Sequence, residues 1–172
     1  SKNLMESPEL NSAFQMGIAF KRTKDFESLH HQIHLQKPLT QIGSDSIFVS
    51  LSHPEDTQRA PDGTVVASVS THVPNPEANQ ILDKALIEVE VIEVLAAHGF
   101  FNPQDVLYSF SSNPKAWEDW LYRKYGFVGG YPQYKAIKPW QMKDARLDHK
   151  GAYVCGDSVY PGQGIVGVCL SG

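Results

Sequence analysis

The sequence predicts an α+β fold, a mixed but mainly antiparallel sheet covered by one long helix. Successive segments alternate apolar and polar residues with no helical pattern between them. A later stretch repeats its apolar residues at three and four, and an Asp62-Gly63 pair able to accept positive φ joins two of the alternating segments.

Phe14, Met16, Ile18 and Phe20 set the first strand, since a half-buried strand repeats at period two. His31, Ile33 and Leu35 continue the alternation until Lys37-Pro38 closes it, and Ile47, Val49 and Leu51 form a third strand. After Asp62-Gly63, Val65, Ala67 and Val69 share one face of a fourth, expected to pair antiparallel with the Ile47 segment. Asn75, Pro76 and Glu77 carry the signals of a helix start, Leu82, Ala85, Leu86, Val89, Ile92 and Ala96 its apolar stripe, and Gly99 its left-handed end. This helix should cover one face of the sheet. Val106, Tyr108 and Phe110 alternate again, Asn113-Pro114 opens a Trp-rich helical stretch over residues 115–122, and a glycine-rich loop follows at 126–132. Residues 1–139 therefore read as one layer, with a polar boundary at 143–150.

Composition narrows the function classes. The 172 residues suffice for one core, and 15 basic against 19 acidic residues exclude a basic nucleic-acid binder. No apolar run approaches the ~20 residues of a membrane span, and the first residues lack a signal-peptide core. Cys155 and Cys169 lack C-x-x-C spacing and sit among apolar residues, which predicts buried thiols in a reducing, cytoplasmic setting.

Chemistry concentrates in the tail. Ala152-Tyr153-Val154-Cys155 has the apolar run of a strand buried on both faces, followed by Gly156-Asp157, Pro161-Gly162-Gln163-Gly164 and a helix start at Ile165-Val166. Glycines let backbone approach a ligand, helix-start amides face anionic or electron-rich groups, and a carboxylate accepts from sugar-like hydroxyls. Such an order suits a nucleotide cofactor, and equally a turn that merely connects strand to helix.

Residues 151–172, G-A-Y-V-C-G-D-S-V-Y-P-G-Q-G-I-V-G-V-C-L-S-G, closely resemble the C-terminal flavin-binding signature of the FAD-dependent phytoene desaturase and carotenoid isomerase family, within the amine-oxidase-like flavoproteins. Phe48-Val49-Ser50-Leu51-Ser52 through Arg59-Ala60-Pro61-Asp62-Gly63 to Ser70-Thr71-His72, and Phe127-Val128-Gly129-Gly130-Tyr131-Pro132-Gln133, resemble the same family. The resemblance implies a substrate domain at 1–139 and the closing strand and helix of an FAD domain at 151–172. It implies that Asp157, with Gly156 beside it, contacts the flavin ribityl chain or adjacent phosphate, and that Gly164, Ile165 and Val166 lie near the isoalloxazine ring. The implied activity is hydride removal or relocation on an apolar isoprenoid or carotenoid polyene. Gly162, Gly164 and Gly167 have the spacing G-x-G-x-x-G, but no acidic residue follows about twenty positions later and they are not the ADP-binding fingerprint after a first strand; the N-terminal half of the FAD domain is therefore expected elsewhere in a longer chain, and the fragment alone should be inactive. The chain lacks an initial Met and stops at Leu170-Ser171-Gly172 inside an expected helix, which agrees with a fragment.

Other residues invite competing readings. His30, His31 and His34 have the H-H-x-x-H form, but on a strand they lack a companion carboxylate, and no metal is expected. Trp117, Trp120, Tyr122 and Tyr125 read as core and tunnel packing. Lys21, Arg22 and Lys24 could touch anionic lipid at a membrane periphery, or form an ordinary solvated strand end. Asp148 and His149 read as surface residues, and no catalytic acid or base is assigned. The alternative to a flavin oxidoreductase is a non-enzymatic α+β module that binds a hydrophobic ligand.

Overall fold

The computed structural model describes residues 10–79, 81–129, 138–147, 150–162 and 164–172. Residues 1–9, the 130–133 part of the second upstream stretch, Asp148, His149 and Gln163 lie outside the described residues.

The fold is α+β. Strands β1 (Asn11–Lys21), β2 (His30–His34), β3 (Ser46–Leu51), β4 (Thr64–Pro74) and β5 (Val106–Ser112) form one five-stranded sheet in the order β2-β3-β4-β1-β5. Every pairing in it is antiparallel. β3 and β4 pair as expected, Phe48 opposite Ser70 and Leu51 opposite Ala67, and Gly63 takes the positive φ of 75° in the connection. β4 and β5 both flank β1, so they run parallel to each other, joined by helix α1 (Lys84–Ala97) as a split βαβ crossover.

Alternation along β1 sends Phe14, Met16, Ile18 and Phe20 to one face, where they meet Ile47, Val49, Val65, Ala67 and Val69 from neighbouring strands. Ile87, Val91 and Leu95 of α1 close this core from above, each burial contributing about 1.5–3 kcal/mol. Polar contacts tie the helix to β5 and to the loop between β2 and β3. The Glu88 carboxylate accepts from the Ser111 hydroxyl (2.6 Å), Lys84 Nζ donates to the Ser111 carbonyl (3.1 Å), and Glu90 accepts from the Thr40 amide (2.8 Å).

Two expectations for this helix need correction. It starts at Lys84, not after Asn75: Asp83 caps it by accepting from the Ala85 and Leu86 amides, while Asn75 is left-handed (φ 46°) in an earlier turn. Its buried line is Ile87, Val91 and Leu95, while Leu86 and Val89, expected inside, are each 54% exposed. The sequence K-A-L-I-E-V-E-V-I-E-V-L-A-A carries apolar residues on nearly every side, so periodicity leaves the phase open and packing decides it. The end was legible. Gly99 is left-handed (φ 78°), its amide reaches the Ala96 carbonyl, and the Phe100 amide reaches Leu95, a Schellman closure with Phe100 buried.

The second face of the sheet carries His30, Gln32, Phe48, Ser68, Ser70, Gln15 and Phe110. Gly17 leaves room there for the ring of its cross-strand partner Phe110, which a Cβ would push aside. Helix α2 (Pro114–Leu121) follows β5, with Asn113 accepting from the Ala116 amide as its cap.

The tail does not form the buried strand expected at 152–155. A single antiparallel bridge joins Arg146 to Tyr153, Tyr153 is 66% exposed, and both cysteines are exposed rather than buried. A strand buried on both faces needs layers above and below it, and among the described residues none covers this one. No helix among the described residues is long and apolar enough to cross a membrane.

Candidate functional site in the glycine-rich tail

The tail closes on itself around its glycines. Gly156 (φ 129°), Gly162 (φ 107°) and Gly164 (φ 88°) adopt backbone that side-chain-bearing residues rarely accept, and Gly164 delivers the chain into helix α3 (Ile165–Leu170). The Gly156 amide donates to the Ser171 hydroxyl at 2.8 Å, and that hydroxyl donates to the Val168 carbonyl at 2.7 Å. A Cβ on Gly167 would stand 2.6 Å from the Gly162 carbonyl oxygen, so the helix lies against the preceding loop because position 167 is glycine. Gly156, Asp157, Gly164, Ile165 and Val166 are thus brought into one small unit. Gly156 and Gly164 have open space where a side chain would stand, and Ile165 and Val166 are 86% and 72% exposed.

Asp157 is held from outside this unit. Arg123 donates from both terminal nitrogens, Nη1 to Oδ2 and Nη2 to Oδ1, each at 2.7 Å, and the Ser158 hydroxyl donates to Oδ1 at 3.1 Å. The Arg123 hydrogen bonds keep the Asp157 carboxyl below its ordinary value, opposing a smaller effect of burial, and raise the guanidinium in turn. No pattern in the sequence singles out Arg123. It lies 34 positions from its partner with no periodic signal between them, and only the neighbouring aromatic and glycine residues of Tyr122 to Gly126 mark the turn that presents it.

No family model matches the chain, and no curated protein matches it.

Several hollows lie among the described residues. One of about 680 Å³ lies between Trp140, Met142, Tyr160 and Leu170, against the back of α3. Two more, of about 330 and 370 Å³, sit on the second face of the sheet and share Gln15 and Trp117. Phe48 bounds one and Phe110 with Trp120 the other, so this face offers aromatic walls on a floor of small and polar strand residues.

The remaining candidates are placed as follows. His30 and Gln32 share a face, as expected of a strand; the His30 ring bonds Ser50 and the His31 ring the Ser28 carbonyl, and no metal-binding cluster occurs among the described residues. The aromatic group only partly packs. Trp117 buries its indole nitrogen, but Trp120 and Tyr122 are 80% and 93% exposed, against the expectation of core packing, although Trp120 borders the hollow beside Phe110. Arg22 leans on Asp25 and Lys24 lies over the Phe26 ring, so these two of the three strand-end cations have local partners.

Proposed function

We propose that this chain is the substrate domain and closing flavin-binding segment of an FAD-dependent oxidoreductase that acts on an apolar isoprenoid polyene, in the manner of phytoene desaturases and carotenoid isomerases. The observation that carries it is the Gly156-Asp157 turn, joined through Ser171 to α3 and open on the side where side chains would stand. Those residues fit a ribityl–phosphate segment: backbone without side chains permits close approach, and a carboxylate held ionised accepts from hydroxyls. Asp157 and Gly156 would hold the ribityl region, with Gly164, Ile165 and Val166 at the ring. FAD, when bound, supplies the two-electron acceptor for hydride.

In this reading residues 1–139 supply the walls. Phe48, Tyr108 and Phe110 stand exposed on the second sheet face and would lie along a long apolar substrate, while the exposed Tyr153, Ile165 and Leu170 would meet the remaining half of the FAD domain in the same polypeptide. A polyene is drawn from a lipid phase, so a peripheral cytoplasmic position, with Lys21 toward anionic lipid, belongs to the same proposal. The aromatic-walled hollows favour one second reading, a non-enzymatic module for a hydrophobic ligand.

Expression of the complete coding region decides between them. The flavin reading expects a yellow protein that releases FAD on denaturation and converts a candidate carotenoid. A colourless product that takes up no FAD on incubation, yet still binds a polyene, belongs to the second.

A further inference from the structure

We propose that Arg123 is the positioning residue of this site, fixing the plane of the Asp157 carboxylate so that Oδ2 accepts from a ribityl hydroxyl. The proposal rests on the flavin reading above. Of its side-chain donors, Arg123 and Ser158 reach Oδ1 and Arg123 reaches Oδ2, so Oδ2 carries fewer side-chain bonds and is the oxygen assigned to the ligand. The forked guanidinium matters because two parallel bonds fix the rotation of the carboxylate as well as its distance, which a point charge cannot. It also cancels a negative charge that would otherwise repel a diphosphate-bearing cofactor. Both side chains keep some exposure, 29% for Arg123 and 24% for Asp157, so the pair sits at a boundary that a ligand can reach.

The backbone around Arg123 is closely constrained. Tyr122 (φ 55°) and Tyr125 (φ 63°) are left-handed although neither is glycine, and Gly126 (φ 59°) could carry no Cβ, which would run into the Pro114 carbonyl. Such strained positions persist only where the surroundings over-determine them. Here the Ser12 hydroxyl holds the Gly126 carbonyl, the Tyr125 hydroxyl donates to Glu77, the Val128 amide bonds the Asn11 carbonyl, and the Phe127 ring lies under the guanidinium at 5.2 Å. Tyr122 ends α2 in the left-handed conformation common at helix ends, its amide bonding the Glu118 carbonyl, and Tyr125 adds a second left-handed position after Arg123.

The test measures FAD dissociation constants and melting temperatures of the complete protein and three variants. Arg123→Ala should weaken FAD binding about tenfold or more, as expected for loss of a bidentate charge-assisted contact, and Arg123→Lys should fall between it and wild type. The exchange Arg123→Asp with Asp157→Arg rebuilds the ion pair but removes the carboxylate from the glycine turn. It should recover melting temperature without recovering FAD affinity, which separates the stability of the pair from the contact of Asp157 with FAD; the part played by Arg123 itself is read from Arg123→Ala and Arg123→Lys, which keep Asp157. Wild-type FAD affinity in Arg123→Ala, or in Arg123→Lys, would overturn the proposal while leaving the flavin reading standing. A wild-type protein that takes up no FAD would remove that reading, and this one with it.

Discussion

The Ser12 hydroxyl donates a 2.6 Å hydrogen bond to the Gly126 carbonyl, a fully buried tie between the start of β1 and the turn after α2. Removing the donor leaves a buried carbonyl unpaired. Ser12→Ala should therefore cost about 1–3 kcal/mol in urea unfolding. Gly126→Ala should cost more, because it adds a left-handed strain and a collision with the Pro114 carbonyl to whatever the tie contributes. If Gly126→Ala unfolds at the wild-type midpoint, the turn is not closely constrained.

The phase of α1 can be tested by paired truncations. Ile87 is fully buried and touches the sheet core, so Ile87→Ala should destabilise by about 2–5 kcal/mol. Leu86, next to it and half exposed, should change stability by no more than about 0.5 kcal/mol when truncated to Ala. Equal losses would mean that the outer side of the helix is also covered, by a partner or by further chain.

These two neighbours also mark what a sequence makes legible. Phe14, Met16, Ile18 and Phe20 could be placed inside because a half-buried strand tolerates only one phase; a slip by one residue would turn all four to solvent. Gly63, Gly99 and Asn113 were equally legible, each marking a backbone need that few residues meet. Leu86 and Ile87 were not separable, since a helix apolar all round has no preferred face until it packs. Asn75-Pro76-Glu77 carried good capping residues, yet Asp83 took the role, because a cap works only where the following residues reach the sheet. In the candidate site, Gly156, Asp157 and Gly164 were readable as a glycine-rich turn with a carboxylate, whereas Arg123 was not, its partner being fixed by tertiary contact alone.

Trp117 presents a different balance. Its indole Nε1 is buried with no hydrogen-bond partner among the described residues, a desolvated donor beside the two sheet-face hollows. Trp117→Phe removes the unpaired donor and retains most of the ring. It should be neutral or stabilise by about 1 kcal/mol, read as a raised urea midpoint. A large loss instead would mean that the indole nitrogen is bonded in solution.

The Arg123–Asp157 pair also sets a pH dependence whose sign follows from its geometry. The Asp157 carboxyl is held below its ordinary value of 3.8, chiefly by the Arg123 hydrogen bonds, so the folded state binds its proton less readily than the unfolded chain. The contribution is therefore complete above the unfolded value and disappears as pH falls through the lower folded one. Asp157→Asn removes this titration. The difference in unfolding free energy between wild type and Asp157→Asn should be flat from about pH 5 to 8 and shrink below about pH 4. Because both side chains are partly solvated, the plateau should be about 1 kcal/mol or less and should fall further in added salt. A difference that grows as pH falls would reverse the sign and contradict the pairing of Arg123 with an ionised Asp157.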